Sequence, residues 1–134
     1  MAATLSPIET YLRLRPRDSS QPTQYTLEEY GSHDGTSRSI FEMIIPPDAA
    51  PGLIHNNSTG KVSYEFNAVF DEDATQEHIF EQIAREKVEQ LMDGENSTIF
   101  AYGQTGSGKT YSIFGGETFA ERGLIPRSLG LVFN

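Results

Sequence analysis

The chain has no cysteine among its 134 residues. That excludes a disulfide framework and a thiolate-held metal centre, and it fits a reducing compartment. No stretch approaches the roughly 18 consecutive apolar residues of a membrane-crossing helix. The opening "MAATLSPIETYLRLRPR" lacks the basic start and apolar core of a signal peptide. Basic residues are scarce: ten Lys and Arg stand against nineteen Asp and Glu, for a formal charge of −9. A surface of that sign repels nucleic acid and anionic membrane, so neither is expected as a partner. The three histidines, His33, His55 and His78, show no metal-ligand spacing and read as surface residues. There is no internal repeat and no low-complexity segment. With 37% apolar and 22% charged residues, the composition is that of a soluble globular chain long enough for a core.

What is present is a change of period along the chain. "IETYLRLRP" (8–16) alternates, with Ile8, Thr10, Leu12 and Leu14 on one side and Glu9, Tyr11, Arg13 and Arg15 on the other, which predicts a first strand ended by Pro16. Residues 17–67 read as a small β lobe. Its first part is polar and irregular with at most a short strand at "YTL", then come strands at "SIFEMII" (39–45) and "KVSYEFN" (61–67). The intervening segment carries the Pro, Gly and Asn of a loop. Over 75–93 the period becomes helical: Ile79, Phe80, Ile83, Ala84, Val88, Leu91 and Met92 share one face. Asp73 or Thr75 is placed to cap the start, Gly94 to close the end, and Glu81 and Arg85 form an i, i+4 pair. "STIFAY" (97–102) is uncharged and β-rich, which predicts a central parallel strand covered on both faces. Residues 109–134 predict a helix, opened by "KTYSIF", interrupted by "GGETFAERG" (115–123) and resumed by "LIPRSLGLVF".

Between that strand and that helix stands "GQTGSGKT" (103–110), a phosphate-loop pattern of Gly103, four residues, Gly108, Lys109 and Thr110. By chance the pattern would arise in on the order of one in 200 chains of this length. Its chemistry is definite. Glycines let the backbone N–H groups of Gln104, Thr105, Gly106, Ser107, Gly108 and Lys109 turn inward as a nest for an anion. The following helix contributes its positive end, Lys109 a full charge for the β- and γ-phosphates, and Thr110 a hydroxyl that can ligate Mg2+. Arg13 and Arg15 have two readings, an ion-paired strand face or a lining for the base and ribose of a nucleotide beside Pro16. Phe80 is by default core, and Tyr111 either packs or flanks a base.

Four stretches in order resemble the kinesin motor domain: "RLRP" (13–16), "FNAVFDEDATQEHIFEQIA" (66–84), "IFAYGQTGSGKTYSIFGG" (99–116) and "RGLIPRSLGLVF" (122–133). The wording of "EMIIPPDAAPGLIHNN" and "GGETFAERGLIPRSL" is similar to the ninth kinesin class, associated with cilia and flagella. The resemblance implies an α/β phosphate-loop NTPase fold, a central sheet flanked by helices with a small β-hairpin lobe, of which this chain is the N-terminal part. It implies ATP and Mg2+ as ligands, with Arg13, Arg15, Pro16, Phe80 and Tyr111 beside the base. It also implies a microtubule partner and a cytoplasmic, cytoskeletal location, in the axoneme for the ninth class. The family's switch motifs, Asn-x-x-Ser-Ser-Arg-Ser-His and Asp-Leu-Ala-Gly-Ser-Glu, do not occur in the 134 residues. Hydrolysis by this stretch alone is therefore not expected, and its unpartnered apolar edges predict poor solubility. A GTPase is disfavoured, because its base-reading Asn-Lys-x-Asp element is lacking too.

Overall fold

The computed structural model describes residues 8–16, 25–31, 37–44 and 61–133. The expectations for the polar stretch after Pro16, for the loop before Lys61 and for His33 and His55 lie outside those residues. The chain falls into two compact units, Met1–Glu72 and Asp73–Asn134.

The first unit holds two small sheets. Strand β1 (Tyr11–Arg13) pairs in parallel with β5 (Ala68–Phe70), Leu12 opposite Val69. Asn67 sets the register: its backbone N–H donates to the Thr10 carbonyl at 2.8 Å, and its side-chain oxygen accepts from the Thr10 N–H at 2.8 Å. The strand is shorter than the alternation over 8–16 predicts, because a strand is only as long as its partner's ladder, here three residues plus the bond from Leu14 N to Phe70 O.

The lobe is a three-stranded antiparallel sheet, not a hairpin. Strands β2 (Tyr25–Gly31), β3 (Ser37–Ile44) and β4 (Lys61–Phe66) lie in sequence order with β3 central. β2 contains the short strand read at "YTL" and runs on through Gly31; the hydrophobic pattern misses the extension because this edge strand carries exposed Glu28 and Glu29, a common device against edge-to-edge pairing. It is anchored instead by one aromatic, the Tyr25 ring stacked on Phe41 at 5.5 Å with its hydroxyl donating to Asp71 at 2.8 Å. Phe41 and Phe70 are the buried apolar side chains among the described residues of this unit.

In the second unit, helix α1 (Gln76–Ile83) starts where Thr75 Oγ1 accepts from the His78 N–H, so Thr75 and not Asp73 is the cap. The single helix expected over 75–93 is two, α1 and α2 (Arg85–Met92), parted at Ala84 with φ −108°. The ladder nevertheless passes through the joint, from Ala84 N to Phe80 O and from Val88 N to Ala84 O, both 2.9 Å. Nothing in the neighbouring side chains explains the break. Gly94 takes the left-handed φ of 93° expected just past the helix end. Ile79, Phe80, Ala84 and Val88 are buried together with Leu124 of α4 (Leu124–Phe133). Leu91 and Met92, which share the same helical face by period, are half exposed.

Residues 97–102 do not form the expected strand. They pair with no strand among the described residues, and Phe100 and Tyr102 are 73% and 96% exposed. The composition for a strand is there, but a strand exists only through hydrogen bonds to a neighbour.

Candidate phosphate-binding site

The loop 103–108 leads into α3 (Lys109–Ile113), followed by the interruption 115–123 and then α4. The interruption is an ordered hook. Gly115 and Arg122 bridge, Gly116 N donates to Glu121 O at 3.0 Å, and Gly123 N donates to Phe114 O at 3.1 Å. At its tip the Thr118 hydroxyl and N–H both donate to the Glu121 carboxylate, at 2.7 and 3.2 Å, which holds that carboxyl below the ordinary Glu range.

Two glycines give the loop its shape. Gly108, at the N-cap of α3, has φ 102°, a region costly to residues with a Cβ. At Gly103, with φ 154°, a Cβ would stand 2.6 Å from Ser107 Oγ, so any other residue there would be strained in φ and would force that hydroxyl to turn away. Ser107 N donates to Gln104 O at 3.2 Å and closes the turn.

Lys109 folds back over this turn. Its ammonium donates to Gly103 O at 2.8 Å and to Gln104 O at 2.7 Å. An ammonium has three N–H donors, so two are used to brace the loop and one remains with the charge. Gln104, Thr105, Gly106, Ser107 and Thr110 are exposed, so the loop presents its residues to water and to anything dissolved in it. A left-handed glycine turn, a cation folded over it and a hydroxyl one residue on are the parts from which a phosphate cradle is built.

The other sequence-predicted residues are placed as follows. Tyr111 is on α3, 40% exposed, and Phe80 is in the core at 3% exposure. Arg13 ends β1, and Arg15 and Pro16 are exposed just after it; these three belong to the first unit and the loop to the second. Arg85 lies 5.7 Å from the Phe80 ring centroid and pairs with Glu81, which holds the Glu81 carboxyl below its ordinary range. Gln76, not among the sequence-predicted site residues, is buried at 3% and donates to the carbonyls of Tyr111 and Glu121 at 2.6 and 3.2 Å. Its signal was a polar residue in phase, at i+3 and i+4, with the apolar Ile79 and Phe80.

A phosphate loop entering a helix, in a mixed α/β chain with a small antiparallel sheet, defines a nucleoside-triphosphatase-like class of protein. Comparison with known proteins narrows it. The family model described as the kinesin motor domain matches residues 13–134, and the chain belongs to that family.

Similar proteins include the kinesin-like protein KLP1 of Chlamydomonas reinhardtii, 45% identical over 101 residues, covering 75% of this chain and 12% of that protein. The human kinesin-like proteins KIF15 and KIF9 are 36% and 34% identical, over 95% and 97% of this chain and 9% and 15% of their own lengths. Among solved structures, the motor domain of the Kar3-like kinesin from Ashbya gossypii superposes with a TM-score of 0.67 at 29% identity, over 96% of this chain and 36% of that one. A kinesin motor ATPase structure matches with a TM-score of 0.69 at 25% identity, over 96% and 38%. The chain thus spans little more than a third of these solved chains and a much smaller share of the full-length relatives.

Proposed function

We propose that this chain forms the ATP-gripping part of a microtubule motor ATPase, whose whole protein couples hydrolysis to movement along microtubules. The observation that carries the reading is the Lys109 ammonium braced over the Gly103–Gly108 turn, in a chain of the kinesin motor family. In this reading the backbone N–H groups of 104–109 and the Lys109 charge hold the phosphates, and the Thr110 hydroxyl ligates Mg2+. Arg13, Arg15, Pro16 and Tyr111 contact the base; Phe80, buried at 3%, has only a sliver of ring to offer it. Mg2+ when bound neutralises phosphate charge.

A second reading concerns the 134 residues by themselves: they bind nucleotide without hydrolysing it. The lack of both switch motifs in the sequence favours it. The test is a fluorescent ATP-analogue titration combined with phosphate release in the presence of microtubules. Microtubule-stimulated turnover by the 134 residues refutes the second reading, and failure to bind the analogue refutes both. The ninth-class assignment, and with it an axonemal location, rests on the wording of residues 42–57 and 115–129. Expression of the tagged full-length gene product in ciliated cells tests it, and exclusion from the axoneme refutes it.

A further inference from the structure

We propose that Gln76 is a positioning residue for the phosphate site: its carboxamide pins α3 and the 115–123 hook together and so holds Lys109 and Thr110 in place. The proposal rests on the phosphate-binding reading of the loop.

Helix α3 has only five residues, too few to be stable by its own hydrogen bonds. Its backbone carries one forward bond at each end, Ser112 N to Gly108 O and Phe114 N to Thr110 O, and Tyr111 O is among the last carbonyls, which a helix cannot satisfy internally. Gln76 Nε2 donates to that carbonyl at 2.6 Å and to Glu121 O at 3.2 Å. One buried amide therefore joins a capped helix, the end of the phosphate-loop helix and the hook. Gln76 is itself held rigidly, as the first residue of α1 beside the Thr75 cap, on the same face as buried Ile79 and Phe80. Gly123 N to Phe114 O is a second tie between the hook and the end of α3, and the Gln76 amide adds the side-chain bonds that join both to α1. A shift of the hook reaches the phosphate site through the same amide.

The test isolates the donor. Gln76→Glu keeps one oxygen and the shape but exchanges the NH2 group for an ionisable oxygen. Burial and two facing carbonyl oxygens raise the pKa of that carboxyl, so at about pH 5 it is protonated and donates to one carbonyl, and at about pH 8 it is charged and repelled. His78 on α1, Tyr111 on α3, Glu117, Glu121 and Arg122 on the hook and Arg127 on α4 are present in every protein compared, and Gln76→Met, which has nothing to titrate at position 76, reports any pH dependence that they contribute. The expected result for the ATP analogue is binding on the order of tenfold weaker than the parent at about pH 8, recovering to within about threefold at about pH 5. Amide exchange should quicken at Phe114, Gly116 and Gly123 at the higher pH while Val88, within α2, keeps its protection.

Gln76→Met, neutral and of similar length, is expected to show the same local exchange pattern and the same weakening at both pH values. Parent-like affinity and exchange in both variants overturns the proposal, and so does faster exchange at Val88 in step with the hook, which marks general unfolding. If the parent itself does not bind the analogue, the phosphate reading fails, while the exchange pattern alone still upholds or refutes the pin between Gln76 and α3.

Discussion

Replacing Lys109 by alanine separates the grip of the loop from its stability. In the ligand-free chain the ammonium makes two hydrogen bonds, to Gly103 O and Gln104 O. The bond to Gln104 O is exposed and that to Gly103 O half-buried, so water replaces most of what the donor supplied when it is removed. The net loss is bounded at about 1 kcal/mol. A phosphate oxygen takes more from the same group. Unit charges about 4 Å apart at an effective dielectric near 20 attract by about 4 kcal/mol. Solvent at the exposed loop roughly halves that, leaving about 2 kcal/mol, a weakening of about 30-fold. Equilibrium titration with a fluorescent ATP analogue, alongside thermal unfolding followed by circular dichroism, reads both quantities. The expected outcome is a large loss of affinity with little change in melting, and a loss that shrinks as salt is added. Affinity within twofold of the parent would refute the cradle, and a collapse of melting would refute the claim that the lysine is spent on ligand more than on fold.

Three further outcomes follow from local geometry. Thr75→Ala removes the acceptor for His78 N and should cost about 1 kcal/mol in denaturant melts, while Thr75→Asp should hold stability. Gly108→Ala has open space for its methyl but a φ of 102°, so about 1–2 kcal/mol of backbone strain should weaken nucleotide binding without any clash; unchanged affinity would show that the turn relaxes freely. The hydrogen bond from Arg85 holds the Glu81 carboxyl below the ordinary Glu range. A depressed carboxylate stabilises above its unfolded pKa and loses that contribution as pH falls through its folded pKa. The melting gap between the parent and Glu81→Gln should therefore be present at neutral pH and shrink steadily as pH falls through the acid range below the ordinary Glu pKa.

The glycine turn before Lys109, a capping residue at Asp73 or Thr75 and the turn at Gly94 were legible in the sequence because each rests on atoms a few residues apart; the structure then chose Thr75. A glycine's φ, a hydroxyl reaching an N–H three residues on, and an i, i+4 ion pair need no partner from elsewhere, so local chemistry by itself determined them. The strand-like composition of 97–102 was equally legible, yet Phe100 and Tyr102 stand in water, because pairing is supplied by other strands and not by propensity. Of the polar β2 only the start, "YTL", was legible; its neighbour β3 and the Tyr25–Phe41 stack extend it through Gly31. Tertiary structure alone decided that Asn67 would set Thr10 and β1 in register across 57 residues. It also decided that Gln76 would be buried against two backbone carbonyls. An amide's partners depend on which chain segments fold up beside it, and no spacing within one helix specifies that.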